Sequence, residues 1–415
     1  MAARSEPAAE AVRADVDRLA PVDLAIGLLT YNNAETLPGV LDAVTAGLGR
    51  YLPATRAALV AADAGSSDAT RDRIAGTALP SIVVEHQAPA GERVTVPFHG
   101  VPGRGAALHT LFEVARRAQA KALVILEADA VSVTPEWIER LAAPVLDGKA
   151  DFVAPAYARH RWEGTISRLL LSPLVRALYG RRLQQPFGGQ QALSARLVDH
   201  LLIHPKWSWS GPDVSDLWIT GTAIADGFAV WEAWLGRYLV RSGTRTGDLP
   251  AMIAQTLGAA FTVMERHTDL WLEVRGSEPL PAVGEPAALG AEPMRVDVDG
   301  MLEAFRLGVR DLTSIWELIL APDTLAEVLT LDSGDRMRFP DDLWARVVYD
   351  FALGHHYSVV HRDHLLRSLT PLYLGRTAAF VLATRVLTAA ASQAQLDLVG
   401  AAFERQKPYL VEHWR

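Results

Sequence analysis

The sequence predicts an α/β fold: an open, mainly parallel β-sheet flanked by helices, with an appended helical region at the carboxyl end. Two patterns predict this fold. Over residues 24–153, compact apolar runs alternate with helical patterns and are separated by turn-forming residues. From residue 249 onward the pattern is helical, apart from a Pro/Gly-rich stretch that begins at residue 276.

Each element has its own local signal. Apolar runs of five or six residues, bounded by turn residues, are typical of buried strands. The polar turn at 63–68 contains Ser and Asp residues that can cap the helix after it. The predicted strands are residues 24–29, 57–62, 81–85 and 122–126, and the predicted helices are residues 35–48, 69–75 and 106–119.

The composition excludes several classes of function. The chain has 415 residues, which allows two or three domains. Its net charge of −8 gives no basic field that would favour nucleic acid or an anionic membrane as a partner. The chain has no cysteine, so disulfides, thiolate nucleophiles and iron–sulfur clusters are excluded. Any catalysis must therefore use oxygen or nitrogen groups.

The location of the protein is predicted from three segments. Residues 1–20 lack the apolar core of a signal peptide. The longest apolar stretches, 251–264 and 370–391, are respectively too short for a membrane span and interrupted by Arg376 and Arg385. We therefore expect a cytoplasmic protein.

Three short motifs follow predicted strands or open a helix. Glu127 and Asp129 stand two positions apart after a strand and can turn together toward a hard cation, although a solvated turn is the alternative. Asp63 can accept from the imide of a nucleotide base, or can belong to an Asx turn. Arg104, between two glycines at a helix start, suits a phosphate, although such a tripeptide is common in loops. In open α/β sheets a ligand binds beyond the carboxyl ends of the strands, so the placement of these motifs favours function.

The order of the motifs resembles the nucleotide-sugar half of a GT-A glycosyltransferase. The first turn lacks the glycine patterns of P-loop proteins and of dinucleotide-binding proteins. It also lacks the Gly-rich basic loop expected of a nucleotidyltransferase. The segments that carry the resemblance are TYNNAET at 30–36, DAGSSD at 63–68, GRGAAL at 103–108 and EAD at 127–129.

Further segments narrow the resemblance to the glucosylglycerate synthase group, which includes glucosyl-3-phosphoglycerate synthase and mannosylglycerate synthase. They are YARHRWEGTI at 157–166, PLVRALYG at 173–180, QPFGG at 185–189, DLWIT at 216–220, DDLW at 341–344 and PLYLGR at 371–376. The resemblance implies a retaining enzyme that moves glucose from a nucleoside diphosphate sugar to D-glycerate, 3-phosphoglycerate or a similar small hydroxy acid. Direct front-face displacement is expected, since no residue stands out as a nucleophile.

The resemblance also implies roles for individual residues on the donor side. Glu127 and Asp129 would hold the diphosphate through Mg²⁺ or Mn²⁺. A cation and an arginine together would neutralise the charge of the departing diphosphate. The residues implied to bind the nucleotide sugar are Thr30, Asn32, Glu35, Asp63, Arg104, Glu127, Gly188, Gly189 and Gln190.

On the acceptor side, an arginine fork and loop N–H groups match a carboxylate or phosphate. Asp216 is implied to act near the acceptor hydroxyl as an orienting group or weak base. It could equally cap the helix after it, and the arginines could equally be ion-paired surface residues. The residues implied to bind the acceptor are Arg159, Arg161, Gly164 and Thr165.

Three positions differ from the pattern of the group. Gln190 replaces an acidic residue that would contact the donor sugar, Val240 replaces a metal-binding histidine, and Glu127 replaces an aspartate. These changes leave two interpretations open: a transferase with altered substrate or metal requirements, or a catalytically silent homologue that binds a nucleotide sugar or a protein partner. His355, His356, His361 and His364 also cluster in sequence and are predicted to be structural.

Along the chain, the sequence is divided into five consecutive segments. A homodimer is also predicted, because the helical region is rich in Leu and Ala and homodimers are the commonest closed assembly. The segments are a charged helix at 1–20, a nucleotide-sugar-binding half at 21–153, an acceptor-binding half at 154–275, a loop or linker at 276–295 and a helical region at 296–415.

Overall fold

A computed structural model shows the fold, and it describes residues 6–94, 99–205, 216–241, 248–286, 294–331 and 337–414. The chain forms two compact units, and each is assembled from three segments of the chain. Parts of the predicted charged helix and of the predicted linker, residues 1–5 and 287–293, lie outside the described residues. Unit 1 comprises Met1–Ala158, Phe187–Gly247 and Leu280–Ala287, and unit 2 comprises Arg159–Pro186, Asp248–Pro279 and Ala288–Arg415.

The strands lie where the apolar runs predict them, within one residue at each predicted end. In chain order they are β1 (Leu24–Thr30), β2 (Ala57–Asp63), β3 (Ser81–Glu85), β4 (Ala122–Glu127), β5 (Phe152–Ala158), β6 (Arg181–Arg182), β7 (Gln191–Ser194), β8 (Val230–Arg237), β9 (Glu278–Pro279) and β10 (Ala282–Val283).

The helices of unit 1 alternate with its strands, and those of unit 2 follow one another. A π-helix, Ser167–Leu171, leads directly into α7. In chain order the α-helices are α1 (Glu6–Leu19), α2 (Leu37–Tyr51), α3 (Thr70–Ala75), α4 (Ala90–Val94), α5 (Arg104–Arg117), α6 (Pro135–Leu146), α7 (Ser172–Tyr179), α8 (Ala195–Ile203), α9 (Asp216–Ala225), α10 (Leu249–Arg266), α11 (Thr268–Glu273), α12 (Val298–Ile319), α13 (Pro322–Leu329), α14 (Asp341–His356), α15 (Arg362–Ser368), α16 (Thr370–Thr384) and α17 (Ala389–His413).

Unit 1 is built on one sheet with the strand order β10-β8-β5-β7-β4-β1-β2-β3. Its strands pair in parallel except for β7, which is antiparallel to both β4 and β5. The fold is therefore the mainly parallel α/β fold that the alternating pattern predicts. All residues of β1 and β4 are buried, as expected for strands covered by helices on both faces.

The register of the central strands aligns the predicted site residues at one edge. Thr30, the last residue of β1, pairs with Asp63, the last residue of β2. On the other side of β1, Leu29 pairs with Glu127, the last residue of β4. Parallel pairing therefore brings Thr30, Asp63 and Glu127 to the same carboxyl edge of the sheet.

Helices cover this sheet on both faces and complete the core of unit 1. On one face, Val44 of α2 and Trp137 of α6 join the buried cluster that includes Ile26 of β1. On the other face, Gly27 provides space for Leu111 of α5, since a Cβ at position 27 would lie 2.8 Å from that side chain. This close packing fixes α5, which begins at Arg104.

Unit 2 is helical, as the carboxyl-terminal pattern predicts. Buried aromatic residues join its helices: Trp344 of α14 donates to the Leu169 carbonyl at 2.7 Å, and Tyr349 donates to the Phe403 carbonyl of α17 at 2.7 Å. Among the residues that the structure describes, no helix has the length and apolar character needed to cross a membrane.

Candidate active site

The loops after β1 and β2 are held together by Asp63. Its fully buried carboxylate accepts from the Thr30 hydroxyl at 3.0 Å, the Ser66 hydroxyl at 2.5 Å and the Arg71 Nε at 2.8 Å. The backbone N–H groups of Gly65 and Ser66 add contacts of 3.1 and 2.9 Å. These five donors fill the roughly four lone-pair sites of a carboxylate, so at least one site is shared. Asp63 therefore shapes the loop in this structure.

Asn32 fastens the same two loops from the other side. Its backbone adopts a positive φ of 53°, a conformation that asparagine tolerates better than most residues. Its amide oxygen accepts from the Ser67 N–H at 2.9 Å, and its own N–H donates to the Ser66 hydroxyl at 2.9 Å. The loops that the sequence assigns to the nucleoside thus form one hydrogen-bonded surface at the sheet edge.

Arg104 is the centre of a buried ion-pair network. It is 2% exposed at the start of α5, where the left-handed backbone of Gly103 turns the chain into the helix. Its Nε and Nη2 lie 3.1 and 2.9 Å from the two carboxylate oxygens of Asp216, which is a forked contact. Its Nη1 lies 3.3 Å from Glu127 Oε1. One guanidinium therefore positions two carboxylates.

Glu127 is further held by neutral donors. Gln190 Nε2 lies 3.1 Å and the Tyr238 hydroxyl 2.5 Å from Glu127 Oε2. The Tyr157 hydroxyl donates to the amide oxygen of Gln190, and the Tyr157 and Tyr238 rings stack at 4.8 Å. A Cβ at Gly189 would lie 2.1 Å from the Glu127 carboxyl, so a glycine is required there. Gly188 is buried beside it.

The chain segment after β8 runs beside Asp129. Val240 forms an antiparallel bridge with Ala130, and the Arg241 N–H donates to the Asp129 carbonyl at 3.2 Å. The structure therefore places Val240 next to the acidic motif, at the position where the sequence resemblance implies a histidine. Arg241 also forms an ion pair with Glu35, which is exposed.

Four ionisable residues are buried at this edge of the sheet. Arg104, Glu127, Asp129 and Asp216 are all at most 4% exposed. Counted by themselves and fully ionised, these three carboxylates and one guanidinium sum to a charge of −2. Burial raises the pKa of Asp216 above its ordinary value, although Arg104 opposes this shift. An added cation would lower the electrostatic cost of this arrangement.

The predicted acceptor residues belong to unit 2. Arg159 directly follows β5, and its side chain lies against Gly164, whose φ is 64° and whose missing Cβ leaves room for it. Arg161 donates instead to the carbonyls of Thr384 and Leu387, at the end of α16. The Thr165 and Tyr373 hydroxyls lie 2.5 Å apart.

Several residues of the site lie outside the sequence-based prediction. Tyr157, Gln191, Tyr238 and Arg241 all contact predicted site residues, and Gln191 Nε2 lies 3.2 Å from Asp216 Oδ1. Their only local signal is a polar or aromatic side chain at or just beyond a strand end. The hydrogen bonds of the first three of these residues reach partners that are 25 to 111 positions away along the chain.

Known structures with similarity to this chain include those of glucosyl-3-phosphoglycerate synthase from Mycobacterium tuberculosis. The complex with phosphoglyceric acid is 21% identical, with 62% of this chain and 84% of that chain covered and a TM-score of 0.42. The complex with Mn²⁺, UDP-glucose and phosphoglyceric acid is 20% identical, with 65% and 86% covered and a TM-score of 0.43. The complex with Mg²⁺ and UDP is 20% identical, with 65% and 85% covered and a TM-score of 0.43.

No curated protein matches this chain. The family model described as "Glycosyl transferase family 2" matches residues 26–195. This segment contains most of β1, all of β2 to β7, and the residues Thr30, Asp63, Arg104, Glu127 and Gln190. Residues 26–195 of this chain are thus similar to the glycosyl transferase family 2 domain.

Proposed function

We propose that this protein transfers glucose, with retention, from a nucleoside diphosphate sugar to D-glycerate, 3-phosphoglycerate or a similar small hydroxy acid. The observation that carries the proposal is the buried network in which Arg104 holds Asp216 and Glu127 at the carboxyl edge of a family 2 domain. A buried, forked guanidinium of this kind is a rigid support for a site that handles charge.

The charge of the network supports a divalent cation on the donor side. When Arg104, Glu127, Asp129 and Asp216 are all ionised, their summed charge of −2 disfavours a diphosphate nearby, and a divalent cation would offset this repulsion. We assign Glu127 and Asp129, the buried acidic pair at the end of β4, as the carboxylates that would bind Mg²⁺ or Mn²⁺. Mg²⁺ is commonly held by one or two carboxylates together with substrate phosphates. When bound, the cation would neutralise charge on the departing diphosphate.

The nucleoside is assigned to the surface formed by the loops at 30–36 and 63–68. Because the Asp63 carboxylate is occupied by protein donors, we assign it the role of shaping this surface. Exposed groups of the same loops, such as those around Asn32 and Glu35, would contact the base and ribose. Arg241 forms an ion pair with the exposed Glu35 and would therefore border the same surface.

During transfer, the bond between the sugar and the diphosphate breaks, the acceptor hydroxyl oxygen bonds to the sugar on the same face, and the hydroxyl proton passes to the departing diphosphate. Asp216 is buried, and both of its oxygens are bonded to Arg104. We therefore assign Asp216 the role of positioning Arg104 and the reacting groups. Arg159, at the end of β5, is assigned to the carboxylate or phosphate of the acceptor.

The test is release of nucleoside diphosphate by the purified protein. UDP-, GDP- and ADP-glucose are each combined with D-glycerate or 3-phosphoglycerate, with Mg²⁺ or Mn²⁺ and again with EDTA. We expect release that requires the acceptor and is abolished by EDTA. Release that persists in EDTA would show that the reaction needs no divalent cation, which would contradict the proposed metal site. Release at the same rate without the acceptor would contradict transfer to a hydroxy acid.

A second candidate is a catalytically silent homologue that binds a nucleotide sugar. The observation that favours it is that Gln190 and Val240 occupy positions where the resembled group has an acid and a histidine, and that the amide of Gln190 is bonded to Glu127 and Tyr157. Saturable binding of a nucleoside diphosphate sugar without turnover, for every donor and acceptor pair, would establish this second function.

A further inference from the structure

Two imidazoles and a carboxylate converge on the surface of unit 1. His200 and His204 are four residues apart at the carboxyl end of α8, so they share one face. Asp226 directly follows α9. Its Oδ2 atom lies 2.6 Å from His200 Nε2 and 3.7 Å from His204 Nε2. Across the described ranges of the chain, no other group of three such side chains brings its ligand atoms within 4.8 Å of one another.

We propose that His200, His204 and Asp226 form a binding site for a transition-metal ion of the Zn²⁺ type. Two imidazole nitrogens with one carboxylate oxygen are a common donor set for Zn²⁺ and its neighbours. A tetrahedral ion with such bonds holds its ligand atoms about 3.4 Å apart. The distance of 3.7 Å already suits this geometry, and the 2.6 Å contact needs to open by less than about 1 Å.

The surroundings allow an ion to enter and restrict the rings. The side chains of His200 and Asp226 are 35% and 34% exposed, whereas that of His204 is 11% exposed. The His200 ring lies 5.1 Å from the ring of Phe228, and the His204 ring lies 5.9 Å from that of Trp218.

The site is distinct from the proposed donor site. Helix α9 begins at Asp216, in the Arg104 network, and ends just before Asp226. Its ten residues span about 15 Å at the usual helical rise. A metal ion at Asp226 would therefore join the carboxyl ends of α8 and α9, and it would fasten the far end of the helix that carries Asp216. We assign it a structural role, with Zn²⁺ rather than Mg²⁺ as the ion, because Mg²⁺ prefers oxygen ligands.

The experiment uses the full chain, freed of metal with EDTA and dialysed, and titrated with Zn²⁺ against a chromophoric chelator. We expect one tightly bound Zn²⁺ per chain without any nucleotide. The double variant H200Q/H204Q should bind Zn²⁺ more than about 100-fold more weakly. Loss of a residue that only supports a metal ligand weakens binding by about 10- to 100-fold, so a larger effect indicates direct ligands. The control is H361Q/H364Q, because His361 and His364 form an exposed pair with ring centroids 5.6 Å apart.

Thermal unfolding separates metal binding from misfolding. Zn²⁺ should raise the Tm of the unaltered chain and of the control, and should leave that of H200Q/H204Q unchanged. D226N, which keeps both imidazoles, should also bind Zn²⁺ more weakly. Equal Zn²⁺ affinity in H200Q/H204Q and the unaltered chain would overturn the proposal. Absence of saturable binding by the unaltered chain would also overturn it and would leave a metal-free hydrogen-bond cluster.

Discussion

At the scale of single residues, the contact between Gln190 and Glu127 favours an amide over an acid at position 190. Gln190 is fully buried and donates to the Glu127 carboxylate while accepting from Tyr157. The substitution Gln190→Glu would place two buried carboxylates about 3 Å apart, so one of them would have to hold a proton. We expect a loss of about 3 kcal/mol in the free energy of unfolding at pH 7.

The pH dependence of this variant has a definite sign. A carboxyl that holds its proton more tightly in the folded state stabilises the fold at low pH and loses that effect as the pH rises. The deficit of Gln190→Glu should therefore be small below about pH 4 and full at pH 7. Urea unfolding at several pH values measures it, with Gln255→Glu, at an exposed position of α10, as the matched control. A deficit that does not change with pH would contradict the assigned contact.

Arg104 gives a second prediction at this scale. Lys cannot reproduce the fork to Asp216 together with the contact to Glu127, because an ammonium is a compact point charge. We expect Arg104→Lys to lower the free energy of unfolding by about 3 kcal/mol and to weaken nucleotide-sugar binding.

Arg117→Lys, at the other end of α5, is the control for Arg104→Lys. Its partner is the exposed Asp17, and such a surface pair contributes less than about 1 kcal/mol. The measurements are urea unfolding and calorimetric binding of UDP-glucose. If both variants unfold like the unaltered protein, the buried network does not stabilise the site.

At the scale of elements, the loops after β1 and β2 depend on Asp63. Burial would raise the pKa of Asp63, but the hydrogen bonds from Ser66 and Arg71 outweigh it and lower that pKa below its ordinary value of 3.8. A lowered pKa in the folded state adds stability above pH 3.8, and this stability is lost as the pH falls through the folded pKa.

Asp63→Asn should remove this pH-dependent stability. The amide would also turn an N–H₂ group toward donors such as the Ser66 N–H, which costs about 2 kcal/mol. We expect the stability difference from the unaltered protein to be full at pH 7 and to shrink below pH 3.8. Thermal unfolding between pH 2 and about pH 7 measures it, with the exposed Asp42→Asn as the control. A difference of constant size would contradict the assigned role of Asp63.

The elements also show how far the sequence determines the fold. The strands β1 to β4 were predictable because each is a continuous apolar run, and their parallel pairing explains why the motifs share one edge. Strand β7 was not predictable, because its four residues include two polar ones and its place between β4 and β5 depends on distant pairing. The bond from Tyr238 to Glu127 spans 111 positions and has no local signal.

At the scale of the whole molecule, the compact units do not follow the order of the chain. Each unit gathers three separate segments, and contacts between distant segments leave no trace in local composition. The proposed donor residues belong to unit 1, whereas Arg159 belongs to unit 2. Donor and acceptor binding should therefore respond to different substitutions.

Arg159→Ala tests this separation. Burial, with a smaller contribution from the nearby charge of Arg159, lowers the pKa of Arg168 to about 10. Two neighbouring guanidinium groups favour an anion, and loss of one charged hydrogen bond costs about 1.5–3 kcal/mol. We expect the KM for 3-phosphoglycerate to rise about 10- to 100-fold, with kcat and the Kd for UDP-glucose within about twofold.

The control for Arg159→Ala is Arg306→Ala, an exposed arginine of α12 in the same unit. Arg159→Lys, which retains the charge without the fork, should recover part of the acceptor affinity. Steady-state kinetics with varied acceptor, together with calorimetric binding of UDP-glucose, separates the two effects. If the KM for the acceptor stays unchanged while the affinity for UDP-glucose falls, Arg159 acts on the donor, and the anionic group of the acceptor must be bound by other residues.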